Sequence, residues 1–147
     1  MNEKLILLVE DNPDDVLLAK RALKKNSISS NIVVATDGQE AIEYLFAEGV
    51  YEGRDTSIMP HVIFLDLKLP KLDGIDVLKR IRANEATRMI PVVMLTSSNE
   101  EGDIINCYKN GANSFICKPV DFDEFLEASK QMGTYWLSLN VTPNGNA

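Results

Sequence analysis

The segment Val62-Ile63-Phe64-Leu65-Asp66-Leu67-Lys68-Leu69-Pro70 constrains the fold of this chain more than any other. It is a short apolar run that delivers one carboxylate, Asp66, to its end and then turns at a proline. Apolar runs without polar alternation mark strands buried on both faces of a parallel sheet. In open α/β sheets, ligands gather beyond the carboxyl ends of such strands. Other apolar runs in the chain also end in polar groups. Leu5-Ile6-Leu7-Leu8-Val9 ends in Glu10-Asp11, Ile90-Pro91-Val92-Val93-Met94-Leu95 in Thr96-Ser97-Ser98, and Ser114-Phe115-Ile116-Cys117 in Lys118-Pro119. In a parallel sheet these ends share one edge, so acids, hydroxyls and a lysine can converge there.

Amphipathic segments separate the strands, which is the alternation of a βαβ fold covered on both faces. The first helix has Asn12 as N-cap, Pro13 at its first position and Asp15 at its third. It runs to about Lys25 and turns Val16, Ala19 and Leu23 inward. Strand two is Ile32-Val33-Val34-Ala35. Helix two starts at Asp37, with Glu40 in capping-box spacing, and buries Ala41, Ile42, Leu45 and Phe46. Helix three begins near Asp73-Gly74 and buries Val77, Leu78 and Ile81. Helix four follows Ser98-Asn99-Glu100-Glu101, read as a capping box, and ends at Gly111. Helix five follows Asp121, has Glu124 at its third position and reaches about Leu137. Residues 1–137 therefore read as one domain and the polar residues 138–147 as a flexible tail, with no output module attached. The loop from about Gly49 to Pro60 is longer than a typical αβ connection and reads as a surface elaboration with Tyr51 exposed.

A net charge of −7 argues against direct nucleic-acid binding, which needs a basic face. The cysteines Cys107 and Cys117 form no Cys-x-x-Cys pair, so neither a zinc site nor a disulfide framework is expected. Cys117 falls in a strand and reads as a buried, inert thiol. His61, the sole histidine, has no acid–base partner in the pattern and reads as structural or surface. No membrane span or signal peptide is visible, so the chain reads as cytoplasmic.

The set Glu10-Asp11, Asp66 with Lys68 and Leu69-Pro70, Asp73-Gly74, Thr96-Ser97 and Lys118-Pro119 resembles the receiver domain of two-component response regulators, over roughly residues 4 to 132. Asn12-Pro13-Asp14-Asp15, the long connection around Tyr51-Glu52 and the Tyr135-Trp136-Leu137 tail make it similar to stand-alone receivers that partner phytochrome-type histidine kinases. The resemblance implies a flavodoxin-like (βα)5 fold, a doubly wound five-stranded parallel sheet in the order 2-1-3-4-5. It implies a phosphoacceptor and not an enzyme, with only self-phosphorylation and self-dephosphorylation chemistry. Asp66 would take the phosphoryl group from a sensor histidine kinase. Mg²⁺ would be held by Asp11, Asp66, the Lys68 backbone carbonyl and, through water, Glu10. Lys118 would meet the phosphoryl oxygens, directed by a cis bond to Pro119, with Thr96 and Ser97 as further donors and Phe115 as the aromatic that moves inward. Self-association through the helix four–strand five–helix five face would draw on Phe122, Phe125, Tyr135 and Trp136, of which about half are expected in the core. Lys68 and Ser98 depart from the commonest receivers and bear on how water reaches the acyl phosphate.

Rival readings are weaker. Alone, Glu10-Asp11 would be acids at a helix N-terminus. An aspartyl-phosphate phosphatase wants a second acid two residues after the nucleophile, where this chain has Lys68. A flavodoxin-type carrier would not place an acid pair against the flavin phosphate. A constitutive interaction module has no use for the whole set.

Overall fold

The computed structural model describes residues 4–25, 30–118 and 122–143. Five parallel strands, β1 (Lys4–Val9), β2 (Ser30–Ala35), β3 (Val62–Leu65), β4 (Val92–Thr96) and β5 (Ser114–Cys117), form one sheet in the order β2-β1-β3-β4-β5. Helices α1 (Pro13–Lys25), α2 (Gly38–Phe46), α3 (Gly74–Ala83), α4 (Glu101–Lys109) and α5 (Phe122–Thr134) connect and cover them. The expected flavodoxin-like topology is therefore present. The order reverses between β1 and β3, which is where such sheets open a crevice.

The strand period of two sorts the core into two layers. Leu7, Val9, Ile63, Leu65, Val92 and Met94 face Ala41, Ile42 and Leu45 of α2, Val77, Leu78 and Ile81 of α3, and Cys107 of α4. Their alternates Ile6, Leu8, Val62, Phe64, Val93 and Leu95 face Ala19, Ala22 and Leu23 of α1 and Phe125 and Met132 of α5. Burial on both faces is why these strands read as unbroken apolar runs. Among the described residues, no helix is long and apolar enough to cross a membrane.

Local capping follows the sequence at α1, where Asn12 Oδ1 accepts from the N–H groups of Asp14 (2.9 Å) and Asp15 (3.3 Å). At α2, Asp37 accepts from Glu40 N–H at 2.7 Å. Glu40 does not complete the box at Asp37; its carboxylate accepts from Thr36 and from the Tyr51 hydroxyl. The box expected at α4 is absent. The helix is capped by Glu100 without a side-chain bond, and Ser98, two residues too early, donates its hydroxyl to Asp103. Gly111, with φ +100°, follows the Asn110 cap as expected. Helix α5 continues as a π-helical turn over Tyr135–Leu139. Its expected start at Asp121, and the last four residues of the tail, lie outside the described residues.

The structure corrects the expectations for Tyr51 and Cys117. Tyr51 is not an exposed aromatic. It sits edge-on against Tyr44, 5.1 Å between ring centroids, and bonds Glu40 at 2.8 Å, while its neighbour Val50 takes the exposed place. Arg54 fixes the rest of that loop by donating to the carbonyls of Tyr44 and Ile58 and lying 4.1 Å over the Tyr44 ring. Cys117 is exposed, because β5 is an edge strand that helices cover incompletely. Cys107 of α4 is the buried thiol, and burial, with the charges of Asp103 and Asp73, pushes its pKa up to about 11. His61 is structural, as expected: its Nδ1 accepts from Leu5 N–H at 3.0 Å and its own N–H returns to Leu5 O.

Candidate functional site

Register brings the polar strand ends level. Val9 lies beside Leu65, and the ladder extends one residue further through Asp66 N–H to Val9 O at 3.0 Å. Glu10 N–H likewise reaches Ala35 O, and Lys118 N–H reaches Thr96 O at 2.8 Å. Glu10, Asp66, Thr96 and Lys118 therefore leave the sheet along a common edge. Asp66 is followed by a turn held by Gly74 N–H to Leu67 O at 2.8 Å, with Asp73 capping α3 through Ile75 N–H. At the other end of α3, Arg82 ties the start of β5 into the sheet, donating to the carbonyls of Arg88, Ile90 and Gly111 and to Asn113 Oδ1.

The Lys118 ammonium is the electrostatic centre of the edge. It is ion-paired to Glu10 Oε1, to Asp15 Oδ2 at 2.9 Å and to Asp66 Oδ2 at 3.2 Å. Its side chain is only 9% exposed, so these contacts are not the screened pairs of a surface. Burial opposes its charge, but the Glu10 and Asp15 carboxylates, with the charge of Asp66 beside them, hold its pKa above the usual lysine range. Glu10 is buried and also accepts from Asn12 N–H at 3.1 Å. Burial, with Asp66 adding repulsion against the pull of Lys118, raises the Glu10 pKa from 4.5 to about 7.

Glu10, Asp11 and Asp66 each offer a carboxylate oxygen, and these oxygens lie within 4.8 Å of one another. Clustered hard oxygen donors, one of them exposed, suit a divalent cation that keeps part of its water shell. The ammonium already drawn among these acids shows that the cluster demands positive charge. The donor set therefore fits the expected metal.

Thr96 is buried, and its Oγ1 accepts from Ser98 N–H at 3.3 Å. Ser97 is exposed beside it. Phe115 is half-buried against the α2–α3–α4 layer, so it is already partly inward. The Lys68 side chain is exposed. Pro119 lies outside the described residues. Asp15 escaped the sequence reading as a site residue; it was given a place in the first turn of a helix and in the Asn12-Pro13-Asp14-Asp15 start. The available signal was its position in the first turn of the helix that starts directly after Glu10-Asp11, which keeps it near that strand end.

The raised Glu10 pKa has a testable consequence. A cation is held better by the carboxylate than by the neutral acid, so Mg²⁺ affinity is expected to fall as pH drops below about 7 and to level off above it. Without metal the sign for stability is opposite. The folded state holds the Glu10 proton more tightly than the unfolded chain, so its stabilising contribution is complete below 4.5 and is lost as pH rises through about 7. Calorimetric metal titrations on either side of neutrality check the first statement, and urea unfolding at the same pH values checks the second.

The response regulator receiver domain family matches residues 6–130. The chain is 38% identical to the probable methanogenesis regulatory protein FilR2 of Methanothrix harundinacea, over 95% of this chain and 87% of that one. It is 36% identical to the response regulator Rcp1 of Synechocystis, over 95% of this chain and 93% of Rcp1. Among solved structures, the phosphorylated cyanobacterial phytochrome response regulator RcpA superimposes with a TM-score of 0.89 at 37% identity, covering 97% of this chain and 99% of RcpA. The Mn²⁺-bound form of Rcp1 superimposes with a TM-score of 0.86 at 35% identity, covering 95% of this chain and 99% of that one.

Proposed function

The chain belongs to the response regulator receiver domain family, and from that premise we propose that it is a phosphorylation-switched signalling module whose Asp66 accepts a phosphoryl group from a histidine kinase. The observation that carries this reading is the position of Asp66 Oδ2, 3.2 Å from the Lys118 ammonium and within the Glu10–Asp11 acid cluster. A carboxylate oxygen of Asp66 attacks the phosphorus of a phosphohistidine; the P–N bond breaks, and the imidazole leaves with the electron pair. Asp11, Asp66, the Lys68 carbonyl and, through water, Glu10 would hold Mg²⁺, which would supply the charge neutralisation that lets two anions meet. Lys118 transfers a donor from the Asp66 carboxylate to a phosphoryl oxygen. Thr96, whose hydroxyl proton is not committed by the bond it accepts from Ser98, donates to another. That draws the loop after β4 inward, gives Phe115 room to follow, and changes the α4–β5–α5 face.

Residues 1–137 are the signalling domain in this reading. That RcpA is a phytochrome response regulator supports a phytochrome-type kinase as the donor. The face offered to the next partner, or to a second copy of the chain, carries the exposed Tyr135 stacked edge-on with Trp136 at 4.9 Å. Phe125 belongs to the core, and nothing is described for the Phe122 side chain. The exposed free thiol of Cys117 suits a reducing compartment, and the proposed setting is the cytoplasm.

The direct test is transfer of one phosphoryl group from acetyl phosphate in the presence of Mg²⁺, read by intact mass. Asp11→Ala is expected to weaken Mg²⁺ binding by at least about tenfold and to slow the transfer in parallel. An unchanged metal titration removes Asp11 from the site.

A further inference from the structure

We propose that Asp15 is a positioning residue for the acceptor site: its carboxylate keeps the Lys118 ammonium beside Asp66 after Glu10 and Asp66 have taken other partners. The inference rests on the function proposed above. An ammonium has three N–H donors. Lys118 directs them at Glu10, Asp15 and Asp66. Two of these acceptors, Glu10 and Asp66, belong to the carboxylate cluster that fits a divalent cation, and Asp15 does not.

That division decides what Lys118 can hold on to during the reaction. Once Glu10 and Asp66 share their charge with a cation, they attract the ammonium less, and two positive centres repel each other in a poorly solvated space. Once Asp66 is phosphorylated, the oxygen that carries the phosphoryl group is no longer part of a carboxylate. Asp15 keeps its place through both changes. It stands in the first turn of α1, where Pro13 fixes the backbone and Asn12 Oδ1 accepts from the N–H groups of Asp14 and Asp15. Lys118, by contrast, projects from the end of the edge strand on a long stem. Among the described residues, Asp15 is the acceptor that Lys118 has outside the metal cluster, and without it the approach of the ammonium to the phosphoryl oxygens loses direction.

A helix-stabilising acid would act differently. In that role Asp15 would change the melting temperature and leave the behaviour of Lys118 alone. The test is a double-mutant cycle on fluoroberyllate binding with Mg²⁺ present, read by ¹⁹F NMR. It uses Asp15→Asn, Lys118→Met and the pair. Asp15→Asn is expected to weaken binding about tenfold in the wild-type background and less than about twofold in the Lys118→Met background, with Asp15→Glu restoring affinity. Equal losses in both backgrounds overturn the role of Asp15. No binding by the wild-type protein overturns the acceptor reading as a whole, and the positioning role with it. A second measurement stands without the anion: the ¹H–¹⁵N signal of the Lys118 ammonium in the Mg²⁺-loaded protein. It is expected to persist in the wild type and Asp15→Glu and to be lost in Asp15→Asn. Persistence in Asp15→Asn overturns the proposal even where Lys118→Met binds no anion.

Discussion

Asp66→Asn is expected to leave a folded protein that takes up no phosphoryl group from acetyl phosphate. The substitution is nearly isosteric at a buried position, so packing at the end of β3 is retained. What disappears is the nucleophile: a neutral amide oxygen carries no charge to drive attack on phosphorus and forms no stable acyl phosphate. Lys118 keeps Glu10 and Asp15 as partners, so the ammonium is not left unpaired. The substitution also removes one repulsive charge from Glu10. Burial is the larger cause of the raised Glu10 pKa, so that value is expected to drop only in part. Intact mass after incubation with the phosphodonor and Mg²⁺ decides the matter. A phosphoryl adduct on the variant places the acceptor elsewhere.

Gly74→Ala is expected to destabilise the fold by about 3 kcal/mol and to weaken Mg²⁺ binding with it. A Cβ at Gly74 would lie 2.3 Å from the backbone oxygen of Asp66 and 2.8 Å from both Cα and the oxygen of Leu67. These are backbone atoms of the acceptor residue and its neighbour, so no side-chain rotation relieves the clash. Alanine gains about 1 kcal/mol of helix propensity over glycine, which is smaller than the overlap costs. The turn after β3 must therefore shift, taking Asp66 with it. Gly102 in α4 is the internal control: nothing lies within 4 Å of its would-be Cβ, so Gly102→Ala is expected to stabilise by up to about 1 kcal/mol. Urea unfolding of both variants separates the effects. Gly74→Ala as stable as the parent would mean that the turn yields without moving Asp66.

The legibility of the site in the sequence was uneven, for identifiable reasons. Asp66 stood out because an unbroken apolar run announces a strand buried on both faces, and the next polar residue must then lie at its end. Glu10, Thr96 and Lys118 followed by the same rule. Asn12 and Asp37 were legible as caps because a cap answers to backbone donors two or three residues away. Ser98 misled, since its spacing matched a capping box while the helix began only at Glu101. Asp103 offered its hydroxyl a better acceptor. Cys117 misled because an apolar strand pattern does not say whether the strand lies in the middle of a sheet or at its edge.

By itself, the sequence determined the alternation of strands and helices, the two apolar layers, most helix starts, and which chemical groups stand at the strand ends. Each of these depends on residues within a few positions of one another, through backbone hydrogen bonding and the periods of side-chain direction. The tertiary structure alone decided that Lys118 pairs with Asp15 as well as with Glu10 and Asp66, and that Cys107 rather than Cys117 is sealed from water. Those outcomes join groups far apart along the chain. The meeting of such groups is set by strand order and register, which local preferences leave undetermined.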